Sequence, residues 1–228
     1  MKKKTVTCII PFLNEKGRIA SVLKEIVKGK NLDQIICVDD GSTDGGWKRL
    51  KKKFKEINLI RTKKNIGKLS AVKLALEKAE GDYIFLCDSD IIGIEPLLIE
   101  KAINIFKEHS VIDMLILRGK FVFPNTLISR SELIFSGQRI IKKVDLINVL
   151  NKNIKRFQLE IALNDYMLVN KKNVYWIQTN IRNIRKSVKY GFLKGTVEDL
   201  RMVVNVMSYG IVKYFYQILF FARKKLQL

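Results

Sequence analysis

Short apolar runs alternate with helical-period patterns along the first half of the chain. Residues 5–12, TVTCIIPF, are continuously apolar and predict a strand. Residues 16–29 place Ile19, Val22, Leu23, Ile26 and Val27 on one helical face. DQIICVDD, at 33–40, predicts a second strand, and its unbroken apolar character predicts burial on both faces. A basic helix over 45–56 leads to a short third strand, INLIRT, at 57–62. Residues 65–82 read as a helix that a glycine-containing loop opens and Gly81 closes. YIFLCDSD, at 83–90, is the fourth strand, and a helix over 95–108 carries Pro96 in its first turn, where no amide hydrogen is needed. Strand and helix in strict alternation predict an α/β fold with a mixed, mainly parallel sheet flanked by helices on both faces.

The pattern changes near residue 110. VIDMLILRGKFVF predicts a strand running into a second one, 131–150 and 157–169 predict helices, VYWIQTNI predicts a strand, and 197–221 predicts a long helix. No internal repeat occurs and three prolines mark no linker. One continuous domain over 1–228 is therefore expected, with halves at 1–110 and 111–196 and a C-terminal amphipathic helix at 197–228.

An apolar fraction of 47% over 228 residues excludes a disordered chain. The net charge of +21 calls for an anionic partner: phosphate, nucleic acid or a membrane surface. That charge is uneven. Residues 1–110 carry 22 basic and 15 acidic groups, and 111–228 carry 21 and 7. Acids thus gather where the chemistry is expected, and the later half presents the more cationic surface. Cys8, Cys37 and Cys87 lie in apolar runs without a CxxC pair, which predicts buried, reduced thiols and a cytoplasmic setting. His109, the sole histidine, reads as a surface or capping residue, so neither a histidine-based zinc site nor a Ser-His-Asp triad is expected. No signal peptide and no membrane span is expected, because apolar runs are short or interrupted.

Ligands of parallel α/β sheets bind beyond the carboxyl ends of the strands. Polar clusters fall at three such ends: Asn14-Glu15 after strand one, DDGSTD (39–44) after strand two and Asp88-Ser89-Asp90 after strand four. Each alone fits ordinary turn chemistry. Three converging in so basic a chain point to a site. Asp88 and Asp90 together suit one hard divalent cation, Mg2+ or Mn2+, which would also bridge to a diphosphate. No GxxxxGK[ST] phosphate loop is present.

PFLNE, VDDGSTD, NIGK and GDYIFLCDSD, in this order over residues 5–92, resemble the nucleotide-binding half of family 2 glycosyltransferases with the GT-A fold. SGQRI (136–140) and LEIALND (159–165) resemble the acceptor-side segments of members that glycosylate lipid phosphates or small phosphorylated acceptors. KSVKYGFLKG resembles a basic segment near the diphosphate, where a histidine carried by some members has no counterpart here. The resemblance implies that Pro11, Asn14 and Glu15 hold the nucleotide and that Asp40, with Asp39, contacts its base or ribose. It also implies that Lys68 lies near the nucleotide, that Ser89 contacts it through its backbone, and that Arg185 and Lys189 face the diphosphate. Asp88 and Asp90 match the metal motif, and Glu160 matches an acidic position near the acceptor.

The expected reaction is inverting transfer from a nucleotide-diphosphate sugar, with a UDP-sugar favoured. A hydroxyl acceptor would need a base, for which Glu160 stands ahead of Asp165. A polyprenyl phosphate, already anionic, would need none. Residues 202–221 hold 15 apolar residues of 20, with Asn205, Ser208, Lys213 and Gln217 toward one side. Three readings stay open for this stretch: a helix lying on an anionic membrane face, a helix packed on the protein's own core, and a subunit contact. The alternative function is a basic nucleic-acid-binding protein. It lacks a binding motif and leaves the acidic strand ends unexplained, so no nucleic-acid partner is expected. A nucleotidyltransferase is disfavoured for want of a glycine-rich N-terminal loop, and an inactive transferase is disfavoured by the intact Asp88 and Asp90.

Overall fold

Eight strands share one sheet in the computed structural model, which describes residues 4–119, 130–154, 158–184 and 192–227. They are β1 (Val6–Phe12), β2 (Gln34–Asp39), β3 (Asn58–Arg61), β4 (Tyr83–Leu86), β6 (Met114–Arg118), β7 (Arg139–Lys142), β8 (Val174–Gln178) and β10 (Lys224–Leu226). Their order is β10-β8-β6-β7-β4-β1-β2-β3. All neighbours run parallel except β7, which is antiparallel to both β4 and β6. A separate two-stranded ribbon joins β5 (Ile91–Ile92) to β9 (Arg182–Asn183).

Side-chain alternation along each strand feeds two apolar layers. Cys8, Ile10 and Phe12 of β1 point to the face covered by α1 (Ile19–Ile26), α2 (Gly46–Lys53) and α4 (Pro96–Glu108). Ile9, with Ile36, Ile84 and Met114 of neighbouring strands, points to the face covered by α3 (Lys68–Leu76), α6 (Lys143–Leu150) and α7 (Leu159–Val169). The expected double burial of β2 holds from Ile36 to Asp39. The three cysteines are buried and free, and His109 sits exposed at the C-cap of α4 with Nδ1 3.0 Å from the Ile105 carbonyl.

The segment 131–150 differs from the expected helix. It forms a single turn, α5 (Ser131–Ile134), then strand β7, then α6. Ile140 and Ile141 face opposite apolar layers, and their β-branched side chains suit a pleated surface. The strand also fills the gap between β4 and β6. Gly137 opens it because a methyl group there would overlap the Asp88 carboxylate. The second strand expected beyond β6 falls mostly in 120–129, outside the described residues.

The long helix exists as α8 (Phe192–Phe220), broken by a non-helical Gly210 at φ 141°. Part of its polar side is held by α7. Gln217 is buried, donating to the Ile161 carbonyl (3.1 Å) and accepting from Asn164 (2.9 Å), while Tyr209 and Lys213 both reach Asp165, at 3.0 and 2.9 Å. Among the described residues no helix is long and apolar enough to cross a membrane.

Candidate active site

Because β1 lies between β2 and β4, the loops that follow these three strands leave the same edge of the sheet side by side. Hydrogen bonds tie the first two together. The Asn14 backbone N–H donates to Ser42 Oγ at 2.9 Å, and Asn14 Oδ1 accepts from the Thr43 N–H at 2.9 Å. Asn14 itself has a positive φ of 54°, a conformation asparagine tolerates better than most residues. The Lys16 N–H donates to Asp44. Glu15 is buried and pairs with Arg18. These contacts give the PFLNE and VDDGSTD segments one shape.

The two aspartates of the second loop do different work. Asp40 accepts the Ile66 and Gly67 N–H groups, at 2.7 and 2.8 Å, one on each oxygen. Its carboxylate therefore clamps the NIGK loop. Asp39 is fully buried. One oxygen accepts the Ser42 N–H at 2.8 Å and the other lies 3.2 Å from Arg61 Nε. Arg61 in turn packs over Trp47 and donates to the Ser42 carbonyl. Gly41, at φ 76°, lets this loop press on the next, since a Cβ there would lie 2.6 Å from the Lys64 backbone.

Clamping the NIGK loop aims Lys68, the first residue of α3, across the sheet edge. Its Nζ lies 2.7 Å from Asp88 and 2.7 Å from Glu160. Burial lowers the lysine's affinity for its proton, but the two carboxylates outweigh that effect and raise its pKa above the ordinary value. Lys68 is thus a fixed positive charge at neutral pH. The other Asp88 oxygen accepts from Gln138 Nε2 at 2.9 Å and faces Asn183 Nδ2 at 3.4 Å. Pro11, Lys68, Asp88, Gly137, Arg139 and Glu160 line one cleft. Ser89 is buried in the turn after β4, and the Asp90 carbonyl accepts the Ile184 N–H, bringing β9 to the same turn.

Beneath the cleft lies Arg139, fully buried. It donates to the carbonyls of Ser136, Leu133 and Ile134 and to Asn164 Oδ1. Burial pulls its pKa down to about 10, opposed by Glu160 and Asp88. Sequence reasoning singled out the SGQRI segment but named neither Gln138 nor Arg139, and it passed over Asn183. A glutamine and an arginine inside an otherwise apolar RII run were the available signal for the first two. Asn183 offered none, because only the β5–β9 pairing brings it to Asp88. Arg185 and Lys189 lie outside the described residues.

The donor set fits a hard divalent cation. Asp88 and Asp90 would be the carboxylates for it, two residues apart in one turn, and the ammonium of Lys68 against Asp88 marks a point where positive charge is already held. Among the described residues no group of three or more histidine, cysteine or carboxylate side chains surrounds one point, so water or substrate oxygens would complete the shell.

Polar loops at the ends of the first, second and fourth strands of a mainly parallel sheet agree with a family match. The model of glycosyl transferase family 2 matches residues 7–172, and the chain belongs to that family. An uncharacterized glycosyltransferase of Haemophilus influenzae is 30% identical over 67% of this chain and 60% of its own length. The undecaprenyl-phosphate 4-deoxy-4-formamido-L-arabinose transferase of Proteus mirabilis is 31% identical over 40% of this chain and 30% of its own length. The glucosyl-3-phosphoglycerate synthase of Mycobacterium tuberculosis, solved with Mn2+, UDP and phosphoglyceric acid, superposes with a TM-score of 0.73 at 18% identity, over 92% of this chain and 78% of the other. That likeness shows the fold, which is the mainly parallel, helix-flanked GT-A arrangement expected from the sequence. The chain spans 60% or less of the length of each of these two relatives.

Proposed function

We propose that the protein transfers a sugar from a nucleotide-diphosphate donor, a UDP-sugar in the first instance, to an anionic lipid-linked acceptor, with inversion. The carrying observation is the single cleft in which Lys68 joins Asp88 of the fourth-strand turn to Glu160 of α7, directly beside the linked PFLNE and VDDGSTD loops. Donor binding is assigned to 1–110 and acceptor binding to 111–196. The names of relatives support the acceptor class: one acts on undecaprenyl phosphate, and a Pyrococcus furiosus relative is a dolichol-phosphate mannosyltransferase. A lipid-linked acceptor places the reaction at a membrane surface, on the cytoplasmic face where nucleotide-sugars would be supplied.

Departure of the nucleoside diphosphate leaves negative charge, and preorganised cations stabilise it most when water is excluded. Lys68, held by two carboxylates, is the resident positive group for that task. Asp88 and Asp90 would hold Mg2+ or Mn2+, which when bound supplies further charge stabilisation on the diphosphate oxygens. Gln138 and Asn183 orient Asp88, and Asp40 sets the loop that carries Lys68. Pro11, Asn14, Glu15 and Ser89 shape the nucleotide side, with Asp40 ahead of the fully buried Asp39 for contact with the base or ribose.

Glu160 already has one oxygen on Lys68. For a phosphate acceptor its role is to hold that ammonium, since no proton has to leave the nucleophile. For a hydroxyl acceptor it would be the base. The test is Glu160→Gln assayed over a panel of nucleotide-sugars against polyprenyl phosphate and soluble hydroxyl acceptors. The proposal expects turnover with the lipid phosphate and a loss of about tenfold or less in the variant, because general-base catalysis, worth about 10²–10⁴-fold, is not in use. A larger loss, with turnover confined to hydroxyl acceptors, would replace the lipid phosphate with a sugar or glycerate hydroxyl.

A further inference from the structure

The outer face of α8 beyond the Gly210 break has the wrong polarity for water. Ile211, Val212, Phe215, Tyr216, Leu219 and Phe220 are each between 53% and 77% exposed. They fall at i, i+1, i+4, i+5, i+8 and i+9, two adjoining rows on one side of the helix. The inward side cannot exchange with them. It is committed through Tyr209 and Lys213 to Asp165 and through Gln217 to Asn164 and the Ile161 carbonyl, while Phe221 is buried in the core. Rolling the helix to hide the apolar rows would strip the buried Gln217 and Asn164 of their partners. A contiguous exposed apolar surface of this kind marks a binding face.

Charge selects the occupant. Residues 200–228 hold five basic side chains and no acidic one. Arg223, Lys224 and Lys225 are exposed immediately after the apolar rows. A second copy would bring the same excess of positive charge, with no acidic side chain in this stretch to meet it. Against an anionic leaflet they meet negative headgroups while the aromatic and aliphatic rows enter the acyl boundary. Ten helical residues measure about 15 Å, too short to span a bilayer and suited to lying in its surface.

We infer that the Ile211–Phe220 half of α8, with Arg223, Lys224 and Lys225 at its end, docks the protein flat onto an anionic lipid bilayer. This deepens the proposed function, with which it shares only the expectation of a membrane-bound acceptor. The face lies one helix away from Glu160, because α8 packs on α7 through Gln217 and Ile161.

The experiment is co-sedimentation of the full chain with vesicles of phosphatidylcholine alone and of phosphatidylcholine with phosphatidylglycerol. The protein is expected to pellet with the anionic vesicles, less with neutral ones, and to be released as salt rises. Phe215→Ser/Leu219→Ser/Phe220→Ser should lose at least tenfold in vesicle affinity, with its circular dichroism melt and its stabilisation by nucleotide unchanged. Lys225→Gln should lose about fivefold on anionic vesicles, as expected for one lysine near such a surface. Val169→Ser, an equally exposed position on α7, should lose nothing. Wild-type protein staying in the supernatant, or equal binding by the triple variant, overturns the inference. So does a triple variant that turns a dimer into a monomer without altering vesicle binding, which would give the face to a second copy. Vesicle binding needs no turnover, so sugar transfer and docking succeed or fail independently.

Discussion

The donor side and the C-terminal side of this molecule are stabilised in opposite ways. On the donor side, parallel strands β1, β2 and β4 deliver three polar loops to one edge; hydrogen bonds lock the first two to each other and to the NIGK loop, whose Lys68 reaches Asp88 after β4. Apolar surface points into two well-filled layers. On the C-terminal side, buried polar groups hold α7 and α8 together while apolar surface points out. The difference teaches that the first region fixes polar side chains around a cleft, as the proposed donor site requires. The second turns an apolar face outward, the surface inferred to dock on lipid. Arg139 connects them, since it reaches the SGQRI turn beside Asp88 and also Asn164 beneath α8.

The sharpest way to break the contrast is at Asp88. Asp88→Ala leaves Lys68, Gln138 and Asn183 without their shared acceptor and should lower turnover about a thousandfold, the scale for losing a preorganised electrostatic group. Steady-state assays should show this with the fold intact by circular dichroism. Arg139→Met tests the connection. It leaves three backbone carbonyls and Asn164 without a donor inside the core, and should cost about 3 kcal/mol or more in urea denaturation. Lys68→Met should cost about a hundredfold in turnover, because two carboxylates then face each other unneutralised. In the parent, the raised lysine pKa means this contribution is complete at neutral pH and declines only above the ordinary lysine value of about 10.4.

The smallest effect belongs at Asp113, which directly precedes β6 and lies outside the cleft. Burial pushes its carboxyl pKa up, but bonds from Lys142 (2.6 Å) and the Asn173 N–H (2.8 Å) outweigh that and lower it. A lowered pKa stabilises the fold above the ordinary carboxylate value and loses that stabilisation as pH falls through the folded value. Asp113→Asn should therefore cost about 1–2 kcal/mol at pH 7, with the gap to the parent closing below about pH 4.

The legibility of the chain follows the same division. Strands β1 to β4 could be read because continuous apolar runs ending in Asn, Asp and Gly have one physical solution in an α/β sheet. The contacts that make the loops a site could not. Nothing in VDDGSTD separates Asp39, buried against Arg61, from Asp40, spent on two amides of the next loop. Strand β7 was hidden because Ile134, Ile140, Ile141 and Leu146 mimic a helical period, and the Ser-Gly-Gln break between them carries the answer only when Asp88 is seen packing on Gly137. For α8 the sequence placed Lys213 and Gln217 on one side correctly. It could not say that this side meets α7, since that depends on Asn164 and Asp165 being presented there.

The central claim is that the first, second and fourth strand loops form one cleft for a nucleotide diphosphate and its cation. Its most direct test is the thermal unfolding midpoint with UDP and GDP, each with and without Mn2+, for the parent and for Asp90→Ala. Binding to the folded state must raise the midpoint. The account predicts a rise with one nucleotide that grows when Mn2+ is present and loses that Mn2+-dependent part in Asp90→Ala. Nucleotides that leave the midpoint unmoved, or an increment by Mn2+ that survives in Asp90→Ala, would contradict it.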